Sequence, residues 1–173
     1  ELILDARQVH RDIAAVGEAN LADNLARVKD VAATISPGKS VAAIVDDIGG
    51  NHPTAQSLIG DTSDLLETIR QALIDFDVIS VPSEDRCQVI ETPAYMRYAF
   101  AAMDSVGALE SKATESFYYV TPVDEDWNDT QREQWLSNFN YETLKVISVH
   151  EVYPGHFVHN LHNRYGRPLP LIN

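Results

Sequence analysis

Ser116-Phe117-Tyr118-Tyr119-Val120-Thr121, closed by Pro122, sets the fold class, because it concentrates aromatic and β-branched residues in a chain whose longer patterns are helical. It reads as a strand, ended by a residue that cannot donate to a hydrogen-bond ladder. Upstream, Val78-Ile79-Ser80-Val81 and Gln88-Val89-Ile90 read as two further short strands. With helical patterns on both sides, the expectation is a mainly α fold with a small antiparallel β-sheet, of the α+β class.

Residues 4–35 carry apolar side chains at helical spacing: Val9, Ile13 and Val16, then Leu21, Leu25, Val28, Ala32 and Ile35. This predicts a long amphipathic helix with one break near Gly17, stopped by Ser36-Pro37-Gly38. Ser40 is placed to cap a short helix bearing Val41, Ile44, Val45 and Ile48. After Gly49-Gly50-Asn51-His52-Pro53, Thr62 or Ser63 is expected to cap a helix with Leu65, Leu66, Ile69, Leu73 and Phe76 as its buried stripe. Residues 92–107 have no assignable pattern beyond a turn at Gly107. Thr130 and Glu133 have capping-box spacing for a helix with Trp135 and Leu136, and Asn140 caps a last helix through Leu144, Ile147, Ser148 and His150. No repeat or linker interrupts these patterns, so residues 1–173 read as a single unit.

The formal charge of −13, from 26 acidic and 13 basic side chains, argues against nucleic acid or an anionic membrane surface as the main partner. No run approaches the ~18 apolar residues of a membrane span. The lone Cys87 has no internal disulfide partner, no CxxC companion and no basic cluster beside it, and reads as inert. The opening Glu1-Leu2-Ile3-Leu4-Asp5-Ala6-Arg7 lacks the layout of a signal peptide, and begins within a helical pattern as a segment cut from something longer would. Localisation stays open on this reading: the cytoplasm is slightly favoured, and an exported form remains compatible.

The chemistry concentrates in His150-Glu151-Val152-Tyr153-Pro154-Gly155-His156. Zinc hydrolases often hold a metal between two imidazoles, with a carboxylate directly after the first as general base. In HExxH the two histidines lie four residues apart, one turn along the same helical face. Here the separation is six, which an ideal helix places about 120° round and ~9 Å along. Both rings reach one ion only if the helix deforms, and Pro154-Gly155 supplies the means, since proline breaks the ladder and glycine tolerates the irregularity. Glu151 would then lie beside the metal without ligating it. Against this stands the reading of a solvated His-Glu pair at a helix end, followed by an ordinary Pro-Gly stop, which an isolated dipeptide would favour.

Several stretches recur together: Phe117-Tyr118-Tyr119-Val120-Thr121-Pro122, Trp127, Arg132-Glu133-Gln134-Trp135-Leu136, Phe139-Asn140 and Ser148 to His156, with Glu91-Thr92-Pro93 and Arg97 upstream. In order and spacing they resemble a bacterial family known as domain of unknown function 885, whose members look like zinc metallopeptidases. The resemblance implies a mainly helical fold of several hundred residues with a small sheet at the active cleft, of which this chain is a middle portion. It implies zinc as cofactor, His150 and His156 as ligands, Glu151 as base, and a peptide or related amide as substrate. Family members carry a later Glu-Gly-Trp-Ala-like helix whose glutamate would be the third ligand. The remainder of the polypeptide is therefore expected to complete the site, and this portion alone to be inactive. The chain departs from the family pattern at His159, where glutamine is frequent, and at Val106-Gly107-Ala108-Leu109-Glu110, which replaces a Pro-Gly-Pro-Phe-Glu turn.

His159 and His162 share a helical face but read as surface or packing residues rather than ligands. The strand at 117–121 either offers a free edge to an extended peptide or packs into the core, and its pattern does not choose between them. Arg97 reads either as a partner for a substrate carboxylate or as half of a structural ion pair. The functional expectation is a portion of a metallohydrolase, and its alternative is a non-catalytic helical scaffold or binding domain.

Overall fold

The computed structural model describes residues 6–166, with side chains from Val9 onward; Leu4 of the first helical pattern and the proline-rich end at 167–173 lie outside the described residues. The chain forms two compact units, Glu1–Ile48 and Gly49–Asn173.

The first unit holds α1 (Ala6–Ile35) and α2 (Val41–Gly49). The break expected near Gly17 does not occur. An interior glycine costs about 1 kcal/mol relative to alanine but keeps its N–H, so the ladder runs through it. Just past the end of α1, Gly38, at φ 88°, supplies the left-handed residue of a tight turn in which the Lys39 N–H donates to the Ser36 carbonyl at 3.2 Å. Ser40 then caps α2 as its position predicts, its Oγ accepting the Ala43 N–H at 3.2 Å. Ala32 and Ile44 are buried, whereas Ile13, Val16, Leu21 and Leu25 of α1 are exposed.

The second unit contains α3 (Leu58–Asp75), β1 (Cys87–Glu91), a single 3-10 turn (Ala94–Met96), β2 (Ala101–Asp104), β3 (Ser116–Val120), α4 (Asp129–Asn138), α5 (Tyr141–Glu151) and α6 (His156–Tyr165). Helix α3 starts a turn earlier than Thr62 or Ser63 would cap it, because the buried stripe already begins at Leu58 and continues through Thr62, Leu66 and Leu73. Thr62 is inside the helix and donates its hydroxyl to the Leu58 carbonyl at 2.6 Å. Phe76 lies past the last helical residue and is 79% exposed, so it is not part of that stripe.

The fold is mainly α with a small sheet, as expected, and the sheet differs in detail. Its order is β1-β3-β2: β1 pairs with β3 in parallel, and β2 pairs with β3 antiparallel. The sheet is therefore mixed rather than wholly antiparallel. The reason lies in residues 101–104, which had no legible pattern; this extra strand reverses the chain between β1 and β3. Residues 78–81 are not a strand. β3 is central, with a neighbour on each side and four of its five residues buried, so the free-edge reading of 117–121 does not hold.

The core joins Leu58, Leu66 and Leu73 of α3 to Tyr118 and Val120 of β3, and to Phe139, Leu144, Val152, Tyr153, Phe157 and Val158 of the C-terminal helices. An aromatic cluster ties α4 to the sheet: the Trp135 ring stacks on Phe100 at 4.5 Å, and its indole N–H donates to the Thr121 carbonyl at 3.1 Å. The capping box of α4 uses Asn128 and Gln131, not Thr130 and Glu133, with both reciprocal bonds formed at 3.0 Å. Glu133 instead meets His52 at 3.1 Å.

Asn140 caps α5 as predicted, its Oδ1 accepting the Thr143 N–H at 2.9 Å while its Nδ2 donates to the Ser137 carbonyl at 2.8 Å. Asn140→Ala is expected to lower the unfolding free energy by about 1–2 kcal/mol, read as a shifted urea midpoint at constant slope. An unchanged midpoint would remove this cap from the interactions holding α5.

Candidate functional site

Two buried contacts orient the last turn of α5. Ser148 is fully buried, and its Oγ lies 3.4 Å from the hydroxyl of Tyr118 at the centre of the sheet. Burial first, and the nearby Glu151 carboxylate as well, push the Tyr118 hydroxyl well above its usual range, so it stays a neutral partner for Ser148. With Ser148 turned inward, Glu151, three residues on, shares the sheet-facing side of the helix. Its carboxylate accepts the Met103 N–H from β2 at 3.1 Å through Oε2, and Oε1 lies 4.0 Å from His150 Nε2. The Glu151 side chain is 16% exposed and that of His150 is 68% exposed. The site thus has a sheltered carboxylate beside an open imidazole.

After Glu151 the chain leaves the helix. Val152 and Tyr153 both donate their N–H to the Ser148 carbonyl, at 2.9 and 3.2 Å, and both side chains are fully buried. The Tyr153–Pro154 peptide is cis. Gly155 then passes so close to the end of α5 that a Cβ built on it would overlap the His150 carbonyl. From there α6 begins at His156, anchored below by Phe157, Val158 and Leu161. The Tyr153 ring meets Phe157 edge-on at 5.8 Å.

The six-residue spacing is therefore resolved by two helices joined at a tight corner, rather than by one bent helix. The corner brings the His150 and His156 rings to 4.9 Å between centroids, at 88° to one another. Each donor sits about 2.0–2.1 Å from a bound zinc ion, so two donors on one ion lie within roughly 4 Å of each other. The two rings are neighbours, and imidazole nitrogen is a donor that zinc takes. Among the described residues, no group of three His, Cys, Asp or Glu side chains is arranged to hold a metal ion.

The other residues singled out in the sequence fall outside this cluster. His159 is exposed on α6, and His162 Nε2 lies 2.8 Å from the Ser80 carbonyl, a structural contact. Arg97 donates to the Thr92 carbonyl at 3.0 Å and lies 4.0 Å from Glu91, which binds it to its own loop. Cys87 is buried in the core, and burial pushes its thiol up to about 12. The functional group that sequence reasoning missed is the Met103 N–H. Ala101-Ala102-Met103-Asp104 has neither alternation nor β-branched residues, and a backbone donor leaves no mark on residue type.

The family described as "Bacterial protein of unknown function (DUF885)" matches residues 4–173. The chain belongs to that family. No curated protein matches this DUF885 chain. Among solved structures it is similar to that of a "putative lipoprotein of unknown function" from Shewanella oneidensis, with a TM-score of 0.65 at 16% sequence identity. The match covers 92% of this chain and 31% of that one, so this DUF885 chain spans under a third of its neighbour's length. At that identity the likeness is one of fold. Among the described residues, no helix is long and apolar enough to cross a membrane.

Two measurements check the corner and the thiol. Gly155→Ala places a methyl group on the His150 carbonyl and is expected to cost more than about 3 kcal/mol, whereas Gly17→Ala, with open space around it, gains about 0.5–1 kcal/mol. Equal urea midpoints for the two variants would show that the corner yields. The Cys87 thiol has its folded pKa raised from 9.0 to about 12, so its contribution to stability is complete below about pH 9 and is lost as pH rises towards 12. Folding stability should fall across that window, and less so in Cys87→Ala. A thiol reagent at pH 8 should label the protein only after denaturation.

Proposed function

We propose that this chain carries part of the site of a metal-dependent hydrolase that cleaves a peptide or related amide, with His150 and His156 holding zinc and Glu151 moving the proton. The observation that carries this reading is the edge-to-face approach of two imidazoles from different helices, 4.9 Å apart, beside a carboxylate 4.0 Å from one of them. When bound, zinc supplies Lewis acidity, lowering the pKa of a water and polarising the carbonyl under attack.

The protein's own residues do the rest. Glu151 accepts the proton given up by the attacking water and returns it to the departing amine. The Met103 N–H holds one carboxylate oxygen and leaves the other turned towards His150, so the base is oriented before substrate arrives. Burial of Ser148, Val152 and Tyr153 beneath the corner fixes the backbone that carries all three side chains. A general base needs this kind of placement, because proton transfer falls off once the acceptor leaves hydrogen-bond reach.

Zinc titration of this chain, and of a longer DUF885 chain that contains it, tests the reading together with a peptide-cleavage screen. His150→Ala and His156→Ala are each expected to weaken zinc binding by at least about tenfold, since a single remaining imidazole makes a poor site. Glu151→Gln is expected to keep the metal and lose about 100-fold or more in turnover by the longer chain. Zinc affinity indifferent to both histidine changes would end the metal assignment, and turnover unchanged in Glu151→Gln would remove the base. Neither zinc binding nor cleavage in the longer chain would leave the helical unit as a scaffold.

A further inference from the structure

Helix α1 presents a long apolar face to solvent. Leu21, Leu25, Val28, Val31 and Ile35 are each between 48% and 60% exposed, and Val45 of α2 is as open. Between the two helices runs a groove of about 410 Å³, and apart from Asn24 and Arg27 every residue that lines it is aliphatic. Exposed aliphatic residues scattered singly are ordinary, whereas a contiguous patch of them marks a surface that another element covers.

The first unit also lacks a core of its own. Among its described residues, Ala32 and Ile44 are the buried apolar side chains. Two of them do little against the entropy of ordering two helices, and a helix draws most of its stability from tertiary packing of its apolar face. The groove therefore needs an occupant, and its lining fixes the kind. With one cation and no carboxylate it offers little to a polar ligand. Val28, Val31 and Ile35 stand at helical spacing and form a ridge against which another helix packs, axis to axis at about 8–10 Å.

We propose that this face is covered by an amphipathic helix of a longer DUF885 polypeptide, from outside residues 1–173, lying in the groove between α1 and α2. The fold neighbour favours that occupant over a second copy of this chain. Its match takes in 92% of this chain and 31% of its own, so this arrangement of elements occurs embedded in much more polypeptide. A helix on the same polypeptide also acts at an effective concentration of about millimolar, whereas a second copy has to be recruited from solution. The inference is independent of zinc and of the proposed hydrolysis.

Its test places a photoreactive residue in the groove, as Val28→benzoylphenylalanine, in a longer DUF885 chain that contains these residues, and maps the crosslinks by mass spectrometry. Crosslinks to a segment outside residues 1–173 of the same molecule are expected. Hydrogen exchange gives a second readout that needs no substitution: amides of α1 and α2 are expected to exchange at least about 100-fold more slowly in the longer chain than in this one. In the longer chain Val28→Lys should remove most of that protection, and Ala26→Lys, an exposed position on the opposite face of α1, should leave it. Crosslinks between two molecules would assign the groove to a second copy, and crosslinks confined to residues 49–173 would assign it to the second unit; either overturns the proposal. Absence of crosslinks, equal exchange in the two chains, or equal effects of the two lysine variants would overturn it as well.

Discussion

The backbone of Gly155 lies against the carbonyl of His150, at a distance that no other residue type permits. Everything chemically interesting in this chain depends on that approach. It ends one helix and starts another within a few residues, so imidazoles too far apart for a single helical face become neighbours. The contact would be costly to hold in an exposed loop. Here Val152, Tyr153, Phe157 and Val158 are all buried around it, and their apolar surface anchors the corner from below.

The same corner links the sheet to the site. Tyr118 on the central strand meets Ser148 inside α5, and Met103 on the edge strand meets Glu151 at the end of that helix. Two strands therefore set the rotation of α5 about its axis, one through a buried hydroxyl pair and the other through a backbone amide. A helix held at two points on one face cannot turn without breaking both. That accounts for a carboxylate kept largely out of solvent while the imidazole before it stays open.

How much of this was legible follows from which forces write themselves into residue type. Helix signals did so in part: Leu66 and Leu73 of the α3 stripe, the Ser40 and Asn140 caps, and the turn at Gly38 are statements about side chains or about φ, whereas Phe76 is exposed and α3 begins before Thr62. Capping chemistry was harder, because Asn128 and Thr130 offer competing starts to α4, and the reciprocal bonds of Asn128 with Gln131 form the box two residues earlier. Strand β2 was invisible. Its four residues are favoured neither by propensity nor by alternation, and they pair because β3 beside them is strongly strand-forming. The direction of β1 was lost with it. At the site, His150, Glu151 and His156 and the need for a break between them could be read from the motif, but the Met103 donor could not.

The order of strands also bears on how the second unit assembles. β2 and β3 follow one another in sequence and pair antiparallel, so residues 105–115 close them; β1 pairs with β3 in parallel across the longer segment 92–115. Entropy favours the nearer pairing first, and parallel partners of high sequence separation join late. On that ordering the edge that flanks Glu151 forms early in folding, and the last strand to dock is the one farthest from it.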